Sequence, residues 1–246
     1  SLIVGTSMGA VVGGVYACGR SAAWIEDYLE NEFSLKDNVS LQTLKWGEGP
    51  VVKALQAGET LYHLRHHRGA ESGEKMLQRL RDVTGDCTIE SAKIPFACNA
   101  VDMISGKEKV FTKGNLAEAI RCSMAVPPFI EPYEIGESLF IDGAFADNLP
   151  VHIAREMGYR KIMSVDVVPL RPVLKTNIRN GYDVLFRALT CSIHHLHKGP
   201  GATVSLTAYR GAFNFDFDHV QELVAAGQQA VRDQEKIIRK RFDSWY

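Results

Sequence analysis

The chain has 246 residues, 46% of them hydrophobic, and its 28 basic and 29 acidic residues nearly cancel. That length can bury one sizeable core, so residues 1–246 are expected to form a single domain. Balanced charge leaves no global field to attract nucleic acid, and no apolar run approaches the ~20 residues that a membrane-crossing helix needs.

In chain order, the apolar run Leu2-Ile3-Val4 reads as a strand, and Gly5-Thr6-Ser7-Met8-Gly9 follows it as G-x-S-x-G. The small residues from Ala10 to Ala17 then read as a helix. This order is that of a nucleophile elbow, a tight strand-to-helix turn that lifts a serine hydroxyl out of the backbone. Gly5 and Gly9 are expected to admit the turn and the close helix–strand packing. Ser21 is placed to cap a helix bearing Trp24, Ile25, Tyr28 and Leu29. Residues 34–73 are mixed and glycine-containing, and are expected to form helices with irregular connections over the sheet.

Glu74 to Val83 reads as a helix, with Met76, Leu77 and Leu80 on its apolar face. Ile94 to Val101 and Val110-Phe111 read as strands around a turn at Ser105-Gly106. Asn115 with Glu118 forms a capping-box pattern for the next helix. Phe140-Ile141-Asp142-Gly143-Ala144 places a carboxylate at the end of an apolar strand, immediately before a glycine. Pro150 and Gly158 bracket a short helix. Ile162 to Val168 is a near-continuous apolar strand of the kind buried in a parallel sheet. Helical patterns return over Tyr182–Leu196 and from Asp218 to about Arg241.

The pairing of G-x-S-x-G with a later D-G-A resembles the patatin-like phospholipase family, whose members set a G-x-S-x-G serine against a D-G-[GA] aspartate. The segment Ala119-Ile120-Arg121-Cys122-Ser123-Met124-Ala125-Val126-Pro127-Pro128 is similar to the stretch before that aspartate. Lys93-Ile94-Pro95-Phe96-Ala97, Ala100-Val101-Asp102 and Asp216-Phe217-Asp218 fit the same order. The resemblance implies a three-layer α/β/α fold, a mostly parallel sheet with helices on both faces. It also implies a lipid acyl hydrolase, phospholipase, lysophospholipase or esterase, working through an acyl-enzyme on a Ser7–Asp142 dyad. Met8 N–H would serve the oxyanion, Gly5 and Gly9 the elbow, and Gly143 and Ala144 the aspartate motif. Family members carry a strand, a glycine-rich loop and a helix before the elbow; residues 1–246 hold none of that segment, so the resemblance implies a fragment, a processed chain or a sequence that omits it, with the other oxyanion donors missing along with it. No cofactor and no metal are implied. The expected partners are lipid esters at a membrane or micelle surface, with peripheral membrane contact and homo-oligomers compatible and nucleic acid not expected.

Other residues carry competing readings. Asp102 and Asp166 are alternative carboxylates beside apolar strands and are expected to be structural, while Asp147 and Asn148 are placed to cap the helix after Pro150. His63, His66 and His67 form one group and His194, His195 and His197 another, both expected to be solvated. A Ser–Asp–His triad of α/β-hydrolase type, drawing on His194, His195, His197 or His219, is the rival enzyme reading. A non-catalytic lipid-binding or regulatory protein is the rival non-enzyme reading. Cys18, Cys87, Cys98, Cys122 and Cys191 are odd in number and lack C-x-x-C, so reduced, mostly buried thiols are expected. That suggests a cytoplasmic or peripheral membrane location, with secretion left open.

Overall fold

A computed structural model describes residues 1–32, 67–69, 71–196, 201–209 and 219–242. Most of the region 34–73 lies outside the described residues, as do Asp216, Phe217 and Asp218. Strand β1 (Ile3–Gly5) turns directly into α1 (Met8–Ala17), and α2 (Ala22–Asn31) follows. The Ser21 hydroxyl caps α2 by accepting the Trp24 N–H at 3.1 Å. Helix α3 (Glu74–Thr84) precedes strands β2 (Phe96–Asp102) and β3 (Lys107–Phe111). Asn115 Oδ1 accepts the Glu118 N–H at 3.0 Å to open α4 (Leu116–Ser123), which is one half of the expected capping box; the Glu118 carboxylate accepts from Arg81 at 3.3 Å instead. Then come β4 (Tyr133–Ile135), β5 (Ser138–Asp142), α5 (Ala144–Asp147) and α6 (Val151–Glu156). The chain continues with β6 (Met163–Asp166), α7 (Gly181–His195), β7 (Val204–Thr207) and α8 (Val220–Phe242).

The architecture is α/β in three layers. On one face of β2, Phe96 and Cys98 pack with Ala10 and Val11 of α1, Met76, Leu77 and Leu80 of α3, and Leu116 and Ile120 of α4. On the other side α5 packs on β2 and α6 on β1. Burial of these side chains, worth roughly 1.5–3 kcal/mol for each Val, Leu, Ile, Phe and Met, holds the layers together. Gly13 and Gly14 let α1 lie close, since a Cβ there would sit 2.8 Å from Ile3 Cγ2 and from Ile120 Cδ1 respectively.

The sheet is mixed rather than mostly parallel. β1 pairs with β2 in parallel, whereas β2–β3, β2–β5 and β4–β5 are antiparallel. For β2–β3 and β4–β5 the cause is local: Gly106 (φ +68°) and Gly136 (φ +61°) make tight turns, and strands joined by tight turns run antiparallel. One consequence positions everything that follows. Cys98 pairs with Gly5 and with Phe111, and Ala100 pairs with Asp142 and with Lys109. A strand residue has only two edges, so β1 and β5 share the edge of β2 opposite β3, end to end, and their C-terminal ends meet at Asn99.

β6 pairs with β7 in parallel as a separate two-stranded sheet. The 162–168 run is therefore a parallel strand, as expected, but not a doubly buried one: Met163 and Val165 are 44% and 49% exposed, and Ser164 points inward. Cysteine usage also differs from expectation. Cys18, at the end of α1, and Cys87, just after α3, form a disulfide across a Cα–Cα distance of 6.4 Å. Packing of α3 against α1 brings together two residues 69 apart in sequence, a proximity that cysteine counting cannot see. Cys98 and Cys122 are buried free thiols; burial drives Cys98 far above the usual thiol range and Cys122 up to about 12. Among the described residues no helix is long and apolar enough to cross a membrane.

Candidate active site

Gly5 ends β1 with no room for a side chain, because a Cβ there would lie 2.3 Å from the Gly9 carbonyl oxygen. Gly9 is different: a Cβ there would meet nothing within 4 Å, so the expectation that both glycines serve close packing holds for Gly5 alone. The unusual backbone falls on the serine itself. Ser7 has φ +54° and ψ −124°, and is the one non-glycine residue with positive φ among the described residues. Such a conformation costs about 1–3 kcal/mol and persists only where neighbours enforce it. Ser7 N–H donates to Ser123 Oγ at 3.0 Å, and Gly9 N–H donates to the Thr6 carbonyl at 2.8 Å. Met8 opens α1, and its N–H has no intrahelical acceptor.

Asp142 ends β5 and is 1% exposed. Its N–H donates to the Ala125 carbonyl at 3.0 Å, and its Oδ1 accepts the Ala144 N–H at 2.8 Å. Oδ2 is buried and closes no hydrogen bond. Burial raises the carboxyl to about 6, against the pull of the Ser7 side chain and the Ala144 amide. The Ser7 hydroxyl thus acts on the Asp142 charge without a hydrogen bond of full geometry between them. Gly143 has no room for a Cβ, which would fall 2.3 Å from Asn99 Oδ1. Its N–H donates to the Ser123 carbonyl at 3.3 Å. Ser123 therefore holds both turns, one through its hydroxyl and one through its main chain, although in the sequence it stands out only as one small residue among Cys122–Ala125.

Asp102, Asp166 and Asp147 each accept from nearby main-chain amides. Asp102 accepts from Ser105 Oγ at 2.7 Å, from the Ile104 N–H at 3.0 Å and, more distantly, from Ser138 and Leu139; these bonds hold it below the usual carboxylate range. Asp166 Oδ1 accepts the Val168 N–H at 3.0 Å. Asp147 Oδ1 accepts the Leu149 N–H at 3.0 Å, in the approach to α6, and its Oδ2 meets His152 Nδ1 at 3.0 Å. The other ring nitrogen of His152 meets Glu108 Oε2 at 3.1 Å. His194 bonds the Thr190 and Val168 carbonyls, and His195 bonds the Cys191 carbonyl. His67 and His219 are exposed, while His63, His66 and His197 lie outside the described residues. Among the described residues no hydrogen bond joins a histidine to Ser7 or Asp142, and no cluster of three candidate metal ligands forms.

The profile of the family described as patatin-like phospholipase matches residues 1–155, a span that holds both Ser7 and Asp142. The chain belongs to the patatin-like phospholipase family. An uncharacterized NTE family protein of Mycobacterium tuberculosis is 36% identical to it over 149 residues, covering 61% of this chain and 36% of that protein. Patatin-like phospholipase domain-containing protein 7 of Mus musculus is 26% identical over 170 residues, or 68% of this chain and 11% of that protein. Lysophospholipase NTE1 of Saccharomyces cerevisiae is 28% identical over 168 residues, or 68% of this chain and 9% of that protein. This patatin-like chain thus corresponds to about a third of the mycobacterial relative it matches, and to a much smaller part of the eukaryotic ones.

Proposed function

We propose that this chain is a lipid acyl hydrolase, with Ser7 as nucleophile and Asp142 as general base. The observation that carries the reading is the junction on β2, where a strained serine and a buried carboxylate leave the ends of two strands that abut. Ser7 Oγ attacks the ester carbonyl carbon while its proton passes to Asp142. The resulting oxyanion takes a hydrogen bond from the Met8 N–H, and one such donor is worth about 2.7–4 kcal/mol in the transition state. Collapse of the tetrahedral intermediate breaks the ester C–O bond, and Asp142 returns the proton to the departing alcohol. Water then attacks the acyl-Ser7 ester with Asp142 again as base, releasing the carboxylic acid and restoring the serine. An aspartate of ordinary acidity is a weak base; its burial here suits it better to this exchange.

Phospholipids or lysophospholipids are the substrate class, in line with the names of the mouse and yeast relatives. The reading treats residues 1–246 as one catalytic domain that meets its substrate at a lipid surface. Apolar side chains beside the site support that contact. α7 packs against α5, with Phe186 stacked on Phe129 at 5.9 Å, and Val184 and Leu185 on the same helix are each 55% exposed.

Fluorophosphonate labelling read by intact mass tests the reading. One adduct per chain is expected, absent in Ser7→Ala and strongly slowed in Asp142→Ala. Undiminished labelling of Ser7→Ala would rule Ser7 out as the nucleophile.

A further inference from the structure

The meeting of β1 and β5 on one edge of β2 leaves a single residue between them. Cys98 pairs with Gly5 and Ala100 with Asp142, so Asn99 faces the gap from which both turns depart. It is fully buried, at 0% exposure. Its carboxamide reaches both sides of that gap. Thr6 Oγ1, on the residue before Ser7, donates to Asn99 Oδ1 at 2.8 Å. Asn99 Nδ2 donates to the carbonyl of Gly143, the residue after Asp142, at 3.2 Å, and to the Asp147 carbonyl at 3.1 Å.

A third acceptor fixes which way the amide points. Asn99 Nδ2 also lies 2.9 Å from Glu108 Oε1, so its two protons are shared among two carbonyls and a carboxylate, which exclude the flipped orientation. Glu108 is anchored in turn, its Oε2 on His152 Nε2 at 3.1 Å, with His152 Nδ1 on Asp147 Oδ2 at 3.0 Å. The carboxamide is therefore clamped from behind by β3, α5 and α6, while its front spans the two turns. Contact is close enough to exclude any side chain at position 143.

We propose that Asn99 is a positioning residue that sets the spacing between Ser7 and Asp142, with Glu108 and His152 fixing its carboxamide. The proposal rests on the Ser7–Asp142 reading above. Asn99 touches neither reacting group; it acts through Thr6 and Gly143, one residue from each. Small displacements matter in such an arrangement, because an error of about 1 Å in reacting geometry can cost about 100-fold in rate.

The test is the rate of fluorophosphonate labelling at Ser7 across pH in Thr6→Val, Thr6→Ser, Asn99→Ala and the Thr6→Val/Asn99→Ala pair, beside Asp142→Asn. Each variant is first shown to be folded at the assay temperature by thermal unfolding. Thr6→Val, which keeps the shape and loses the donor, is expected to slow labelling about tenfold or more, and Thr6→Ser to stay within about threefold of the parent. The double variant should be no slower than Asn99→Ala alone, because both changes cut one link. The pH midpoint of labelling should also move in Thr6→Val and Asn99→Ala, a change that loss of stability alone would not produce. Labelling that depends on Asp142 but keeps its rate and midpoint in folded Thr6→Val and Asn99→Ala overturns the proposal by itself. Labelling of Ser7 that is absent, or insensitive to Asp142→Asn, overturns the dyad reading and the positioning role with it.

Discussion

The two turns that meet at Asn99 are stressed in different ways. The turn after β1 is stressed in its backbone: Ser7 sits at φ +54°, where a side chain is poorly tolerated. The turn after β5 has ordinary backbone, with Gly143 at φ −64° and ψ −20°, and its stress is electrostatic. There a carboxyl buried to 1% exposure has one oxygen without a hydrogen bond. In the proposed dyad the nucleophile must project to meet substrate, which the sharp turn would allow. The proposed base must hold its proton less weakly than a free carboxylate, which desolvation would provide. Substitutions should relieve each stress separately.

The largest effects should come from the glycines that let the turns approach their neighbours. Gly5→Ala sets a Cβ 2.3 Å from the Gly9 carbonyl oxygen, and Gly143→Ala sets one 2.4 Å from the Asn99 carbonyl oxygen, main-chain atoms that cannot rotate away. Each should lower stability by about 3 kcal/mol or more in denaturant titrations.

Next is Asp142→Asn. The folded-state carboxyl titrates at about 6 against an ordinary value of 3.8, so the folded protein binds this proton more tightly than the unfolded chain does. Stability from this group is full below about pH 4, is lost as pH rises toward 6, and stays lost above that. Asp142→Asn should therefore match the parent near pH 4 and exceed it by about 3 kcal/mol at pH 8, while abolishing esterase activity. A gain that does not vary with pH would contradict the electrostatic account of this turn.

Ser7→Gly should follow, with a net gain of about 1 kcal/mol, backbone relief being partly offset by glycine's greater freedom when unfolded. Ser7→Ala, which keeps the Cβ and hence the strain, should show no such gain. Both should be inactive, so their difference in unfolding midpoint isolates the backbone contribution. The smallest effect belongs to Gly9→Ala, a helical position with open space around the added Cβ, where about 0.5–1 kcal/mol of stabilisation is expected.

Much of this is legible in the sequence alone. Ser7 stands out because the G-x-S-x-G pattern marks a tight strand-to-helix turn, and Asp142 stands out through the resemblance of Asp142-Gly143-Ala144 to the family's D-G-[GA] motif. The Ser21 and Asn115 caps are readable because a capping bond is local. Asn99 and Ser123 are not readable, since their importance depends on which strands share an edge of β2. Pairing between residues as distant in sequence as Ala100 and Asp142 leaves no local trace. Strand direction escapes for a related reason, an apolar run being the same whichever way it pairs. The Cys18–Cys87 bridge escapes because it records helix packing rather than spacing. At Met163 and Val165 apolar character suggests burial, but nothing among the described residues covers them fully.

The pH dependence of Ser7 acylation by a fluorophosphonate, in the parent chain and in Asp142→Asn, tests the central claim most directly. If Asp142 is the base, the parent rate should rise with pH through a midpoint near 6 and then level off. Asp142→Asn should then be slower by a factor of about 100 or more above that midpoint, with no step near it. A step near pH 6 that survives in Asp142→Asn, or equal rates in the two proteins, would mean that another group activates the serine.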